Sequence, residues 1–276
     1  MRHPTHSNLW LIAPAALMVG LFFLYPLFFS LYSAVTLDGA LTLAHLQKAF
    51  ELYSNDMLFT VIIVLISVAI LAVLSVTIAA LITLSPFRSL VGILGFIYRI
   101  PLFIPFIVTA QMMRTFLAKN GLMNNAFVAS GAMTPMETIS FLGWSGIIIV
   151  FVWKQLAFCT LLITGAMAAL DESQIRAARN LGASRIRILF QIILPQIGPT
   201  LGVAMVLSTV TIMSVLSVPL MIGTGTPTMM TTDMAFRINS YGDYHVANAL
   251  GLVSYLICAG LAWFYLRQSL KDKGAL

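Results

Sequence analysis

Charge is scarce in this chain. Charged side chains make up 9% of its 276 residues, against about 25% in an ordinary soluble domain. Acids are the scarcer sign, 9 Asp and Glu beside 15 Lys and Arg. None of the acids lies well inside an apolar block, which argues against a carrier that couples protons or sodium through paired intramembrane carboxylates. Cysteine is nearly absent, and both Cys159 and Cys258 sit in apolar blocks, where they read as small helix residues rather than a disulfide or metal pair. The 4 histidines are terminal or in loops, so neither a zinc-type ligand set nor an intramembrane catalytic constellation is assigned. No lysine is followed by Ser or Thr, so the phosphate-cradling Gly-x-x-x-x-Gly-Lys-Ser/Thr loop is missing and any ATP chemistry belongs to another protein.

Apolar sequence is what the chain has in abundance. Hydrophobic residues reach 60%, and they come in blocks of about 20 or more, the length needed to cross a hydrocarbon layer about 30 Å thick. Six spans are expected: Leu9 to Tyr32, Leu58 to Leu84, Val91 to Leu117, Gly146 to Leu170, Leu201 to Met221 and Ala247 to Leu266. The first is longer than a signal-peptide core and is read as a true helix. Pro101 and Pro105 are expected to kink the third span. The fold class is therefore an all-α membrane protein, a single transmembrane domain over residues 1–276.

Basic residues orient it. With the amino terminus inside, Arg2, Arg88, Arg176, Arg179, Arg185, Arg187, Arg267, Lys271 and Lys273 lie inside, while Lys48, Arg114, Lys119 and Arg237 lie outside. Both termini and the loop between the fourth and fifth spans are thus placed in the cytoplasm. Because the positive charge follows loops and forms no patch, it does not point to nucleic acid.

That inside loop, residues 171–195, carries the most information. Asp171 with Gln174 resembles a capping box, so a short helix is expected from Glu172 to Leu181. Gly182 permits a left-handed stop, and Ser184 can cap a second helix running to Leu194 before Pro195. Ile175, Ala178 and Leu181 fall near one face, with Arg176 and Arg179 pointing elsewhere. Such an elbow suits either a groove on a partner protein or an anionic lipid surface, and the residues alone leave both open.

Ala177-Ala178, Gly182-Ala183 and the Ile192-x-Leu194-Pro195 ending resemble the EAA loop of ABC-importer permeases. The resemblance implies a type I importer permease whose elbow, a coupling helix, docks on a nucleotide-binding subunit through Ile175, Arg176, Ala177, Ala178, Arg179, Leu181, Gly182, Ala183, Leu194 and Pro195. It further implies a second permease subunit, an extracytoplasmic binding protein, an inner-membrane location and ATP with Mg held by the ATPase, with no cofactor on this chain. Arg176 stands where the family usually has glutamate, which implies a different partner charge. The run Ala177-Ala-Arg-Asn-Leu-Gly-Ala-Ser184 looks most like the polyamine, opine, phosphonate and ferric-iron branch, so such a solute is expected ahead of a sugar. A secondary transporter or channel is the alternative.

Within the spans, Lys154 lies about 13 Å into the fourth at 1.5 Å per residue. A place in the substrate pathway and a structural hydrogen bond are equally open readings for it, with snorkelling to the interface the third. Arg99, beside Pro101, and Gln111, with Arg114 near the outer end of the third span, are further pathway candidates, against pairing and packing. The Gly/Thr/Pro-rich stretch from Gly223 to Arg237 resembles the outer segment by which such permeases meet their binding protein, and its methionines read as apolar filler.

Overall fold

The computed structural model describes residues 9–274, with side chains over 12–267. Arg2, Lys271 and Lys273, which contributed to the orientation, have side chains outside the described set. In chain order the elements are α1 (Leu9–Val19), α2 (Tyr25–Ala34), the hairpin β1 (Thr36–Leu37) and β2 (Ala40–Leu41), α3 (Ala44–Leu84), α4 (Arg88–Ile97), α5 (Phe106–Leu117), α6 (Leu122–Ala129), α7 (Trp144–Ala168), α8 (Glu172–Asn180), α9 (Arg185–Ile188), α10 (Leu194–Ser214), α11 (Ser217–Ile222), α12 (Met230–Tyr241) and α13 (Tyr244–Gly274). Among the described residues, five helical stretches are long and apolar enough to cross a membrane, and a sharply bent pair makes six if counted as one span.

Prolines account for most departures from the expected spans. The third is not one kinked helix. It is Arg88–Phe103 and Phe106–Ala129, meeting at 110°. Pro101 cannot donate to the carbonyl of Ile97, where α4 ends, and Pro105 cannot donate to that of Pro101. Ile104, held extended before a proline, completes the break.

Pro26 and Pro195 are accommodated differently. Immediately before each, one turn widens to π geometry, with Tyr25 N–H donating to Gly20 O and Leu194 N–H to Leu189 O. The wider turn takes up the proline ring's clash with the preceding turn, so the helix continues. The expected stop at Pro195 is therefore not made, and α9 runs through the turn Leu189–Ile193 into α10 as one stretch, Arg185–Ser214.

The chain packs as two compact units. The first comprises residues through Ser54 together with Asp233–Leu256. Its hairpin turns on Asp38 and Gly39, both at positive φ (50° and 81°), the Asp-Gly pair that a two-residue turn favours. His45 and His245 stack at 4.7 Å, and Asp243 accepts from Lys48 Nζ at 2.9 Å with Arg237 Nη1 3.6 Å away. Partial burial opposes the Asp243 charge, but hydrogen bonds from Lys48 and the Val246 N–H, with the charges of Lys48 and Arg237, hold its carboxyl below the usual carboxylate range. A depressed native pKa contributes stability above the unfolded value of 3.8 and loses it as pH falls through the native value. Hydrogen exchange at the Val246 amide, corrected for intrinsic rate, should therefore quicken as pH falls below about 3.8. Asp243→Asn should remove that acid step.

The second unit comprises Asn55–Thr232 with the segment from Ile257 onward. Its core gathers Ala79, Ala80 and Leu84 of α3, Ile163 and Met167 of α7, Ile175 of α8, Ile188 of α9 and Ile193 and Ile197 around the start of α10. Leu71, Cys159 and Ala204 form a smaller cluster, where Cys159 Sγ lies 3.0 Å from Ser208 Oγ.

The elbow between α7 and α10 and the residues inside the spans

The elbow hangs on that core. Asp171 caps α8, its two carboxylate oxygens accepting from Ser173 N–H (2.8 Å) and Ser173 Oγ (2.6 Å). These bonds, with Arg176 nearby, hold the Asp171 carboxyl below its ordinary value. The expected reciprocal partner is occupied elsewhere, since Gln174 Oε1 accepts from Gln196 Nε2 at 3.0 Å and so ties α8 to α10. The helix closes as Gly182 N–H donates to Arg179 O (2.9 Å) and Ala183 N–H to Ala178 O (3.0 Å), the Schellman pattern, with Gly182 at φ +82°. Ser184 caps α9 as expected, accepting from Arg187 N–H.

Two faces result. Ile175 is buried, and Ala178 and Ala183 pack against the same core. Burying one isoleucine contributes about 2 kcal/mol toward holding α8 in place. Leu181 departs from expectation: it sits at the C-cap, beyond the last regular turn, and is 88% exposed. It shares the outward surface with Arg176, Ala177, Arg179, Asn180 and the 71%-exposed Ile186. Leu194 is half-buried and packs on the core, whereas Pro195 is exposed. Arg176, at the position of the family's glutamate, pairs with Glu172 one turn earlier at 3.5 Å. That carboxylate was not singled out from sequence, although its i, i+4 spacing to Arg176 was readable.

The sequence-selected span residues do not form one cluster. Lys154 of α7 is buried, its Nζ donating to Pro101 O at 2.5 Å and lying 5.3 Å from the Phe106 ring centroid. Arg99 is exposed and folds onto its neighbour Tyr98, Nε to hydroxyl 3.1 Å. Gln111 is exposed on α5 in a cavity walled by Met112, Phe116 and Trp153.

The Gly223–Arg237 stretch divides into a loop and α12. Asp56 of α3 accepts from Thr228 N–H and Thr60 Oγ1 from Met230 N–H. Met229 and Met230 are buried, as filler methionines should be. Beside the loop lies a cavity of about 290 Å³ walled by Phe59, Trp144, Ile147 and Pro219. Asp56 and Thr60 escaped the sequence reading because their partners are about 170 positions away in the chain.

The family model described as binding-protein-dependent transport system inner membrane component matches residues 73–269, from the middle of α3 to the end of the last span and including the whole elbow. The chain belongs to this family. It is a permease subunit of an ABC importer and not an enzyme, the ATPase of such systems being a separate subunit. The permease is 27% identical over 286 residues to the sulfoquinovosyl glycerol transport system permease protein SmoG of Agrobacterium fabrum, covering 93% of this chain and 88% of that one. It is 26% identical over 181 residues to the trehalose/maltose transport system permease protein MalF of Thermococcus litoralis, covering 64% and 61%. A match of 30% over 184 residues to the probable ABC transporter permease protein y4fN of Sinorhizobium fredii covers 67% of this chain but only 32% of that longer protein. In fold, the permease is similar to a chain of a bacterial alginate ABC transporter crystallised with a pentasaccharide-bound periplasmic protein, with TM-score 0.81, 20% identity and 96% of each chain covered.

Proposed function

We propose that this permease forms, with a second permease subunit, the path for a small carbohydrate or glycoside delivered by an extracytoplasmic binding protein, driven by ATPase subunits that dock on the elbow. ATP and Mg belong to those subunits. Both termini and the elbow face the cytoplasm, as the basic residues of its inner loops suggest, and both packing units serve one permease domain. The observation that carries the coupling role is the outward face of the elbow. A rigidly seated short helix presents Leu181, Ile186, small Ala177 and unburied arginines away from its own core. An exposed leucine and isoleucine ringed by arginines suit a partner groove with a carboxylate rim. Nucleotide closure then favours one membrane conformation through its differential contact with that face.

For the solute, the expectation of a polyamine, opine or phosphonate gives way to a carbohydrate. The names of SmoG and MalF, and of the α-glucoside permease AglF of Rhizobium meliloti, support this. Charge supports it as well. The six apolar blocks of the sequence, including Leu58 to Leu84 of α3, contain no acid, so a polycation crossing them would meet no counter-carboxylate. Gln111 is kept as a solute contact, its amide offering both donor and acceptor to a hydroxyl.

Affinity purification of the tagged permease in mild detergent should bring down an ATPase and a binding protein. That binding protein should gain thermal stability with neutral or acidic glycosides and not with polyamines. Stabilisation by a polyamine or phosphonate would return the solute to the other branch, and absence of an ATPase from repeated purifications would sink the coupling role.

A further inference from the structure

The sharpest unexplained arrangement is the contact between Lys154 and the break in the third span. In an α-helix the carbonyl of Pro101 would receive the amide of residue 105, but residue 105 is proline and has no N–H. The Ile104 N–H reaches that oxygen only at 3.4 Å. Lys154 Nζ reaches it at 2.5 Å, from a side chain 9% exposed, with the Phe106 ring face beside it. Pro101 itself is buried. An unpaired carbonyl buried at this depth is costly, and so is an unpaired ammonium. Each group satisfies the other.

We propose that Lys154 is a positioning residue: its ammonium replaces the amide donor that Pro105 lacks, and so fixes the 110° bend of the third span onto α7. The consequence reaches further than the bend. Lys154 projects from the middle of a 25-residue helix whose far end contributes Ile163 and Met167 to the core that seats Ile175 of the elbow. Residues 154 and 167 are about 20 Å apart at 1.5 Å per residue. One unbroken helix thus holds the elbow at its end and the broken span at its middle. An elbow displacement carried by α7 moves the bend with it.

The test uses the full-length permease in lipid nanodiscs, with Cys159 and Cys258 replaced by alanine and nitroxides at Ile93→Cys and Met112→Cys, exposed positions either side of the break. The wild-type chain should give one narrow distance distribution, and Lys154→Met should broaden or shift it. Thermal half-life should fall on the order of tenfold for Lys154→Met in the Pro105 chain, the effect of leaving one buried carbonyl with only the long bond from the Ile104 N–H. In a Pro105→Ala chain Ile104 is freed to turn helical, which brings the residue-105 N–H to the Pro101 carbonyl, so the same replacement should cost far less. An unchanged distance distribution, or equal losses in the two backgrounds, overturns the proposal. If Lys154→Met does not accumulate, Lys154→Gln, which keeps a shorter neutral donor, is held to the same criteria. In the reconstituted importer, an arm that rests on the proposed function, Lys154→Met should retain ATPase binding and lose uptake rate. A variant with wild-type distances and a raised KM for solute would instead make Lys154 a solute contact and refute the positioning role.

Discussion

Gly182→Val is expected to abolish ATP-driven uptake while the chain still inserts and accumulates in the membrane. Gly182 has φ +82° and open space around the position a Cβ would take. Crowding is therefore not the cause of the defect; backbone conformation is. A left-handed residue costs roughly 1–2 kcal/mol for an L side chain and is worst for a β-branched one. The Schellman bonds from Gly182 and Ala183 relax to relieve that cost, and Leu181 and Ile186 lose their mutual placement. Gly182→Asn, which tolerates the left-handed region, should retain most uptake. Purified complexes should show ATPase subunits bound weakly to the valine variant, or hydrolysing without stimulation by loaded binding protein. Intact assembly and uptake would favour a lipid-surface role for the elbow.

Arg176 refines the same experiment. Its exposed pair with Glu172 contributes only about 0.3–0.5 kcal/mol, too little for its loss to unseat α8. Arg176→Gln should then be mild. Arg176→Glu should lower uptake more strongly only if a partner carboxylate faces that position, so equal effects of the two would remove the charge contact.

Gly146→Val is expected to give the largest loss of folded permease. Gly146 lies in the first turn of α7, where an added Cβ would collide with the Phe141 carbonyl oxygen and come within 2.8 Å of Ile222 Cγ2. Backbone cannot step aside as a flexible side chain can, and Gly143 N–H already holds Ile222 O at 2.8 Å. Overpacking of this kind costs about 1–3 kcal/mol, read as a lower midpoint in detergent thermal unfolding and lower membrane abundance. Gly165→Ala, on the same helix with nothing within 4 Å, is the control. It should be neutral or stabilising by up to about 1 kcal/mol. Similar midpoints for the two variants would show that α7 and α11 are not packed this closely.

Much of this protein is legible without coordinates, because the bilayer imposes a length and a polarity that a sequence must display openly. The apolar blocks, the scarcity of acids and the Gly182 stop are local signals, and so are the caps at Asp171 and Ser184. The prolines were legible only as disturbances. Whether each would kink, break or be absorbed depends on what neighbouring elements offer the freed carbonyls. Pro195 is absorbed by a π turn, while Pro101 and Pro105 break the span where α7 can supply a donor.

Sequence alone therefore determined the solvent of this chain, its helical class, the elbow and its family, since each is written in residues near one another. Tertiary structure alone decided which face of the elbow is spent on the protein's own core, leaving Leu181 outside and Ile175 in. It also decided which acceptor Lys154 reaches, the Pro101 carbonyl 53 positions away. A buried ammonium must find an acceptor, but no periodicity in the sequence says which carbonyl a proline elsewhere has left without its helical amide.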